Sequence, residues 1–291
     1  MLRETIRHKI DHHLDCGYMV MGQCLNAVGF VGGTLPERHD MTELPMADVA
    51  GSAFAVGAAL AGKRPILVVR YQGFQWLGGW SIANYAAKSY ALWNQPCPML
   101  VRSVAMEGRI GPVAGSSHHA LFYRMPGLNI YSPMTSSEWL DMYSEFMLSN
   151  EVFYASEHRG SWGFAEELPD ILQARAEMTL YPISITRFAA IEAANELTQA
   201  GVPVNVVNIR RLKPAEPTLV AKYSRLGMVL DDDYPDGVAK SIAFDIQRET
   251  GTSMSVLGLR EATAGFAGWS DVLPPSTSRI VAAVLSELDR K

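Results

Sequence analysis

Short apolar runs alternate along the chain with longer segments of helical periodicity. The runs that predict buried strands, each bounded by glycine, proline or polar residues, are 18–21, 66–71, 99–102, 183–186, 204–208 and 228–230. The segments that predict helices are 3–14, 49–62, 82–90, 136–148, 189–200 and 218–226. This alternation is typical of parallel sheets, so the chain is predicted to have an α/β fold.

A polar segment of irregular spacing, residues 160–177, divides this pattern into two parts. It contains Gly160, Gly163 and Pro169 and lacks the apolar periodicity of the segments on either side. We interpret it as a linker between two open α/β domains, residues 1–165 and 176–291. A chain of 291 residues is long enough for both domains.

Composition narrows the class of protein. A hydrophobic content of 48% and a net charge of -5 describe an ordinary globular protein, without the basic excess of a nucleic-acid-binding domain. No apolar run has the length of a membrane span, and no apolar core follows Met1–Arg7 as a secretory signal requires. Cys16, Cys24 and Cys97 lack the spacing of a metal site. We therefore expect a cytoplasmic protein with a small-molecule substrate, bound to neither nucleic acid nor membrane.

Asp48 is the most informative single residue of the first domain. It precedes the small-residue segment 49–62, which is predicted to form a buried helix whose glycine, alanine and serine residues let another backbone or a cofactor come close. From the residues alone, a role for Asp48 as the cap of that helix is favoured over a functional one. Function and capping therefore remain alternatives at this position.

Further candidates lie in loops and on the first helix. A glycine-rich loop at 108–117 leads to His118 and His119. The run 231–233 is three aspartates, which fits either a cation site or a solvated loop or helix cap. The histidines of the predicted surface helix 3–14 are interpreted as solvated, although His8 and His12 have the spacing of two metal ligands.

A series of short motifs runs in a fixed order along both domains. They are Gly22-Gln23, Gly32-Gly33, Glu43-Leu44-Pro45-Met46-Ala47-Asp48, Gly57-Ala58-Ala59, Arg64-Pro65-Ile66, Phe74, Ile82-Ala83-Asn84-Tyr85-Ala86-Ala87-Lys88, His118, Pro126-Gly127-Leu128, Ser132-Pro133, Asn208-Ile209-Arg210-Arg211-Leu212-Lys213-Pro214 and Val229-Leu230-Asp231-Asp232-Asp233-Tyr234-Pro235. This order resembles the beta subunits of thiamine-diphosphate-dependent 2-oxo acid dehydrogenases and the C-terminal half of transketolase. The resemblance covers nearly the whole chain.

The resemblance implies a thiamine-diphosphate pyrimidine-binding domain followed by a transketolase C-terminal-like domain. It assigns Asp48 to the carboxylate that hydrogen-bonds the aminopyrimidine ring, although the family has glutamate there. It assigns Phe74 to the aromatic residue that stacks on this ring. Gln23 falls where the dehydrogenase subunits have glutamate, and His118, or its neighbour His119, falls near the substrate-facing histidine. These departures indicate an unusual substrate.

The resemblance also implies a second polypeptide. The magnesium motif that begins with Gly-Asp-Gly is absent from this sequence. Magnesium and the diphosphate would therefore be held by a pyrophosphate-binding alpha-type subunit, or an N-terminal transketolase-like subunit. We expect a homodimer within a heterotetramer, which cleaves a bond next to a ketone and transfers the activated aldehyde fragment. The alternative is a non-catalytic homologue that scaffolds or regulates a catalytic partner.

Overall fold

Two units make up the chain in the computed structural model, which describes residues 1–106, 113–115, 117–260 and 273–290. The first unit comprises Met1–Met106 and Ser117–Glu167, and the second includes the described residues from Leu168 onward. The change of unit after Glu167 lies within the segment 160–177 that the sequence indicates as a linker.

The first unit is built on a parallel sheet. Its strands are β1 (Val20–Gly22), β2 (Thr42–Glu43), β3 (Ile66–Val69), β4 (Met99–Ala105), β5 (Leu128–Tyr131) and β6 (Val152–His158). They lie side by side in the order β2-β1-β3-β4-β6-β5, and every pair is parallel. The carboxyl ends of β1, β2 and β3 therefore meet at one edge, where ligands bind in open α/β sheets.

Helices of the first unit supply its core and the walls of that edge. They are α1 (Leu2–Asp15), α2 (Ala27–Gly33), α3 (Asp48–Leu60), α4 (Gln75–Ser81), α5 (Ala87–Trp93), α6 (Ala120–Tyr123) and α7 (Ser136–Leu148), with 3-10 turns at Gln72–Phe74 and Arg159–Ser161 and a π-helical turn at Ile82–Ala86. Ile6 and Ile10 of α1 are fully buried with Trp139 and Phe146 of α7 in one apolar cluster. The predicted helix 3–14 is confirmed by α1.

His13, on the same helix, is a correction to the prediction of solvated histidines. It is fully buried, with Nδ1 2.8 Å from the Tyr143 hydroxyl and Nε2 3.0 Å from the Arg64 carbonyl oxygen. Burial lowers the pKa of His13 to about 4, so the ring is neutral at pH 7. His8 and His12 are exposed, as the sequence predicts.

The second unit contains a smaller parallel sheet. The strands of this unit are β7 (Met178–Pro182), β8 (Val204–Val206), β9 (Arg211–Lys213), β10 (Leu226–Leu230) and β11 (Ser253–Leu257). Its helices are α8 (Thr186–Gln199), α9 (Val238–Thr250) and α10 (Thr277–Asp289), with a 3-10 turn at Pro217–Val220. Four of these described strands pair in parallel in the order β11-β10-β7-β8. Both units are α/β, as predicted.

Two predicted elements of the second unit differ from the structure. The strand predicted at 183–186 is a turn, because the Thr186 hydroxyl donates to the Ile183 carbonyl at 2.6 Å and accepts from the Ile183 N–H. The strand lies instead at Met178–Pro182. The helix predicted at 218–226 is limited to a 3-10 turn, since β10 begins at Leu226 and pairs there with Ser253.

The helices and cysteines of the described residues can be compared with the predicted environment of the protein. None of the helices in the described part of the chain is long and apolar enough to cross a bilayer. Cys16, Cys24 and Cys97 are free cysteines. The cytoplasmic location stays a prediction.

Candidate functional site

A cavity of about 250 Å³ opens where β1, β2 and β3 end. Its walls are mostly apolar or glycine, with a few polar and charged groups among them. The lining residues are Gly22, Gln23, Cys24, Leu44, Met46, Asp48, Gly51, Ser52, Leu67, Val68, Val69, Arg70, Tyr71, Phe74, Gln75, Gly78 and Ile82. The structure thus brings Gln23, Asp48 and Phe74 together in one cavity.

Asp48 contacts Gln23 directly. The Gln23 Nε2 amide donates to Asp48 Oδ1 at 3.1 Å, while Oδ2 receives no hydrogen bond from any residue that the structure describes. The segment after β1 is held in turn by Glu43, whose carboxylate accepts from the backbone N–H groups of Cys24 and Leu25. One oxygen of the Asp48 carboxylate is therefore oriented by the chain and the other is available to a ligand.

The helix-cap explanation of Asp48 does not match the structure. Asp48 is the first residue of α3, the N-cap position is Ala47, and no side chain there makes a capping hydrogen bond. A carboxylate in the first helical turn still gains from the partial positive charge of the helix N-terminus. Asp48 is therefore placed to present a stabilised negative charge to the cavity.

Gly78 fixes how closely α4 approaches that carboxylate. A Cβ atom added at Gly78 would lie 3.2 Å from the Asp48 carbonyl oxygen and 3.5 Å from its Cβ. The Ser81 hydroxyl donates to the Ser52 hydroxyl at 2.9 Å, which joins α4 to α3 one turn further along. The absence of a side chain at Gly78 lets the backbone of α4 form a wall of the cavity beside Asp48.

An aromatic wall stands on the β3 side of the cavity. Phe74 ends the 3-10 turn that follows β3, and its ring centroid lies 6.1 Å from that of Tyr71. The Arg70 guanidinium lies 5.4 Å from the Tyr71 ring centroid, within the range of a cation–π contact. This side of the cavity therefore offers flat apolar surface next to a positive charge.

His118 and His119 do not line this cavity. His118 is 6% exposed, and its backbone is held at both ends, because its N–H donates to Gln72 Oε1 at 2.6 Å and its carbonyl accepts from Gln75 Nε2 at 3.1 Å. Its ring lies edge-on to Trp76, with centroids 5.9 Å apart. Since Gln75 itself lines the cavity, His118 lies directly behind that wall.

His119 stands at the start of α6 and has no extended backbone. His119 has helical backbone angles, φ -66° and ψ -22°, and is fully buried with Nδ1 3.4 Å from the Ser156 hydroxyl. Burial, reinforced by the neighbouring His119, lowers the pKa of His118 to about 4. The His118 ring is therefore neutral at pH 7. Residues 107–112 and 116 of the loop predicted to deliver these histidines lie outside the described residues.

Gln72 and Gln75 are site residues that sequence reasoning missed. Both are at least 98% buried, and Gln75 Oε1 accepts from the hydroxyls of Ser103 and Tyr154, each at 2.9 Å. Gln72 Nε2 donates to the Ser156 hydroxyl at 2.7 Å. A buried glutamine has no signature in apolar periodicity, whereas its satisfied hydrogen bonds identify it in the structure.

The aspartate run 231–233 is buried, which corrects the expectation of a solvated loop. Asp232 Oδ2 accepts from the Ser184 hydroxyl at 2.8 Å, and Asp231 Oδ1 accepts from the Asp233 N–H at 3.1 Å. Asp233 Oδ1 accepts from the Tyr234 N–H at 2.8 Å. These hydrogen bonds show that the run shapes the end of β10.

An apolar face on α3, α4 and α5 is exposed in the single chain. Its large side chains, between 46% and 71% exposed, are Met46, Val49, Phe54, Trp76, Leu77, Trp80, Tyr85, Tyr90, Leu92 and Trp93. The prediction of a buried helix at 49–62 is therefore only half right, since the face with Ala55 and Ala59 is buried and the face with Phe54 is not. We call this set the α3–α5 face.

The chain is similar in sequence to subunits of known enzymes. No family model matches the chain. The pyruvate dehydrogenase E1 component subunit beta of Rickettsia felis is 24% identical over 232 residues, which cover 74% of this chain and 71% of that protein. The subunit beta of acetoin:2,6-dichlorophenolindophenol oxidoreductase from Cupriavidus necator is 23% identical over 279 residues, covering 90% and 80%. The resemblance to 2-oxo acid dehydrogenase beta subunits is confirmed.

The fold is confirmed by a solved structure as well. A split-gene transketolase, described as an inactive beta4 tetramer, superposes with a TM-score of 0.74 at 15% identity, over 99% of this chain and 96% of that one. The site differs from the beta-subunit pattern at two positions, with aspartate at 48 and glutamine at 23 where that pattern has glutamate. These two residues contact one another. Glutamate at 23 would set a second carboxylate beside Asp48, where like charges repel. The two departures are therefore physically compatible with each other.

Proposed function

We propose that this chain is one subunit of a two-component thiamine-diphosphate-dependent enzyme that cleaves the bond next to a ketone in a 2-oxo acid or ketose. The activated aldehyde fragment is then transferred to an acceptor. The observation that carries the proposal is the Asp48–Gln23 pair in an aromatic-walled cavity at the carboxyl edge of the sheet. The similarity to dehydrogenase beta subunits supports it.

The residues of the cavity fit an aminopyrimidine ring. Asp48 Oδ2 can accept a hydrogen bond from a ring nitrogen, and Phe74 offers a flat apolar surface for stacking, worth about 1 kcal/mol beyond area burial. Gln23 keeps the Asp48 carboxylate in one orientation. The mostly apolar wall lowers the local dielectric constant and so strengthens the hydrogen bond of Asp48.

When bound, thiamine diphosphate supplies a thiazolium carbon that adds to the ketone and stabilises the electron pair left by bond cleavage. Asp48 would hold a proton at the aminopyrimidine ring nitrogen, and its short side chain is oriented for that role by Gln23. His118 is neutral at pH 7 and lies behind the cavity wall that Gln75 forms, so we propose that it acts on the substrate through Gln75 and not by direct contact in this cavity. We propose His119 as the alternative to His118 in this role.

The α3–α5 face supports a second polypeptide in the proposal. A set of exposed aromatic and aliphatic side chains of this size marks an interaction surface. It begins at Met46, which also lines the cavity, so a chain bound there would cover the cavity mouth. We propose a pyrophosphate-binding alpha-type subunit as this partner, with magnesium held mainly by it, in a heterotetramer that contains a homodimer of this chain.

Asp48→Asn tests the catalytic assignment. The variant keeps the size of the side chain but removes its charge, so proton exchange at the thiazolium carbon should slow by about 10²-fold or more in the complex with the partner. Asp141→Asn, at an exposed position on α7, is the matched control and should leave exchange unchanged. Equal exchange rates for the Asp48→Asn and Asp141→Asn variants would refute the proposal.

The partner is tested with the purified chain alone. We expect calorimetry to show weak binding of thiamine diphosphate and no turnover until the partner is added, because this chain supplies the groups for the pyrimidine end only. Micromolar or tighter binding with activity by the chain alone would contradict the two-component proposal.

A non-catalytic homologue that scaffolds a partner is the second candidate, favoured by the departures at Asp48 and Gln23. The hydrogen bond between these part-buried residues argues against loss of the site, since it orients a carboxylate that lines the cavity. Cofactor binding by the wild-type complex without proton exchange would favour the scaffold.

A further inference from the structure

Arg70 is the cationic residue of the cavity. It follows β3 directly, one position beyond Val69, and lines the same cavity as Asp48. Its guanidinium is oriented by the Tyr71 ring, 5.4 Å from the centroid, and the Tyr71 ring in turn lies against Phe74. Tyr71 therefore connects the positive charge of Arg70 to Phe74, which forms part of the aromatic wall of the cavity.

The guanidinium of Arg70 forms no ion pair with any residue that the structure describes. Among the residues that the structure describes, no carboxylate forms an ion pair with Arg70 and no oxygen accepts a hydrogen bond from it; Asp48 is bonded to Gln23 instead. A charged group on a partly buried, mostly apolar wall is unfavourable unless a partner compensates it. The five N–H donors of Arg70 thus remain available to a ligand.

Arg70 also lines a second recess, which it shares with Arg159. Arg70 and Arg159 both line a small recess of about 20 Å³ that is otherwise formed mainly by apolar residues, and no carboxylate is among its lining residues. Val28 and Gly32 also line this recess, within a stretch of α2 whose φ angles are all positive, from Val28 to Gly32. Strained backbone of this kind clusters at ligand-binding sites.

We propose that Arg70, assisted by Arg159, forms an oxyanion-binding subsite that receives the anionic end of the substrate. The planar fork of a guanidinium matches two oxygens of a carboxylate or phosphate group and is only weakly hydrated. Arg70 therefore selects substrates that carry such a group. Asp48 and Phe74 instead bind the aminopyrimidine ring of the cofactor, which is neutral. The inference rests on the proposed function, which it deepens by assigning a charge to the substrate.

The guanidinium of Arg70 can bind either of two anionic groups. A 2-oxo acid provides a carboxylate and a phosphorylated ketose provides a phosphate. Equilibrium binding of sodium pyruvate and of inorganic phosphate to the full-length chain, measured by calorimetry at low ionic strength, separates them. Low salt is required because screening weakens the interaction of partly exposed charges.

The variants are Arg70→Gln, which removes the charge, and Arg70→Lys, which keeps the charge but loses the fork. Arg124→Gln changes an exposed arginine at the end of α6 and is the matched control. We expect at least one of the two anions to bind about tenfold or more weakly to the Arg70→Gln variant, with partial recovery in Arg70→Lys and wild-type affinity in the control. Circular dichroism verifies folding, and if Arg70→Gln does not fold, Arg70→Lys is compared with wild type.

Each outcome decides the inference. A loss confined to pyruvate assigns the subsite to a carboxylate, a loss confined to phosphate assigns it to a phosphate ester, and a loss of both assigns it to oxyanions in general. Equal affinities in wild type and the Arg70 variants, or no binding of either anion to wild type, would overturn the proposal. The proposed function is tested by proton exchange in the complex of the Asp48→Asn variant, and this inference by anion binding to the Arg70 variants, so failure of one and failure of the other give different results.

Discussion

Replacing Gln75 with methionine should lower the free energy of unfolding by about 3 kcal/mol. Gln75 makes three buried hydrogen bonds, from Nε2 to the His118 carbonyl at 3.1 Å and to Oε1 from the hydroxyls of Ser103 and Tyr154 at 2.9 Å each. Methionine has a similar shape but can neither donate nor accept strongly, and each such bond contributes about 1 kcal/mol. The His118 carbonyl also accepts from the Leu121 N–H at 3.2 Å, which limits the loss at that group.

Urea denaturation followed by circular dichroism measures this loss, with Tyr154→Phe as the matched control. Tyr154→Phe removes one of the three donors and should reduce the free energy of unfolding by about 1 kcal/mol. In the double variant, the two losses should fall short of additivity by about 1 kcal/mol, since both changes remove the same hydrogen bond. A loss below about 1 kcal/mol for Gln75→Met, or strict additivity, would refute the view that this glutamine organises the wall between the cavity and His118.

Two further predictions concern stability. The pKa values of His13 and His118 are lowered by burial from 6.5 to about 4, so the unfolded chain binds protons that the folded chain does not. Stability should be fully present above about pH 6.5 and should fall as pH drops toward 4, by on the order of 3 kcal/mol for each histidine. His13→Gln should flatten this dependence in urea titrations, and an unchanged pH slope would contradict the assignment. Gly127→Ala should destabilise by more than about 3 kcal/mol, because φ is +75° and the added Cβ would lie 1.7 Å from the Ala87 carbonyl oxygen. Gly251→Ala is the control, with φ +70° and no atom within 4 Å of the added Cβ, and its free energy of unfolding should fall by only about 1–2 kcal/mol. Thermal unfolding of both variants measures the difference. Equal losses at the two glycines would argue against the clash.

Much of the candidate site follows from local sequence. Gln23 comes directly after β1 and Asp48 begins the helix after β2, so a parallel sheet necessarily brings both to the edge where its strands end. Phe74 follows β3, the neighbouring strand, and reaches the same edge. The order of short motifs along the chain was enough to recognise the relatives and the fold, because strand ends and glycine turns impose their residue types locally.

Other features depended on partners that are distant in the chain. His13 has the helical spacing of a surface residue, yet Tyr143, 130 residues away, supplies the hydroxyl that lets it be buried. The resemblance places His118 or His119 near the substrate, but two glutamines that no pattern marks hold His118 behind the cavity wall. Arg70 had a weak signal, a charge directly after an apolar strand, and only the cavity shows what it faces.

The sequence by itself determined the α/β class, the division into two units, the relatives and the residues that reach the edge of the first sheet. Those properties follow from apolar periodicity and from turn chemistry, which act between residues close together in the chain. Tertiary structure alone decided that Gln23 orients Asp48, that His118 is buried and neutral, and that α3 has an exposed apolar side. These properties depend on hydrogen bonds and burial between segments far apart in sequence, which local patterns do not encode.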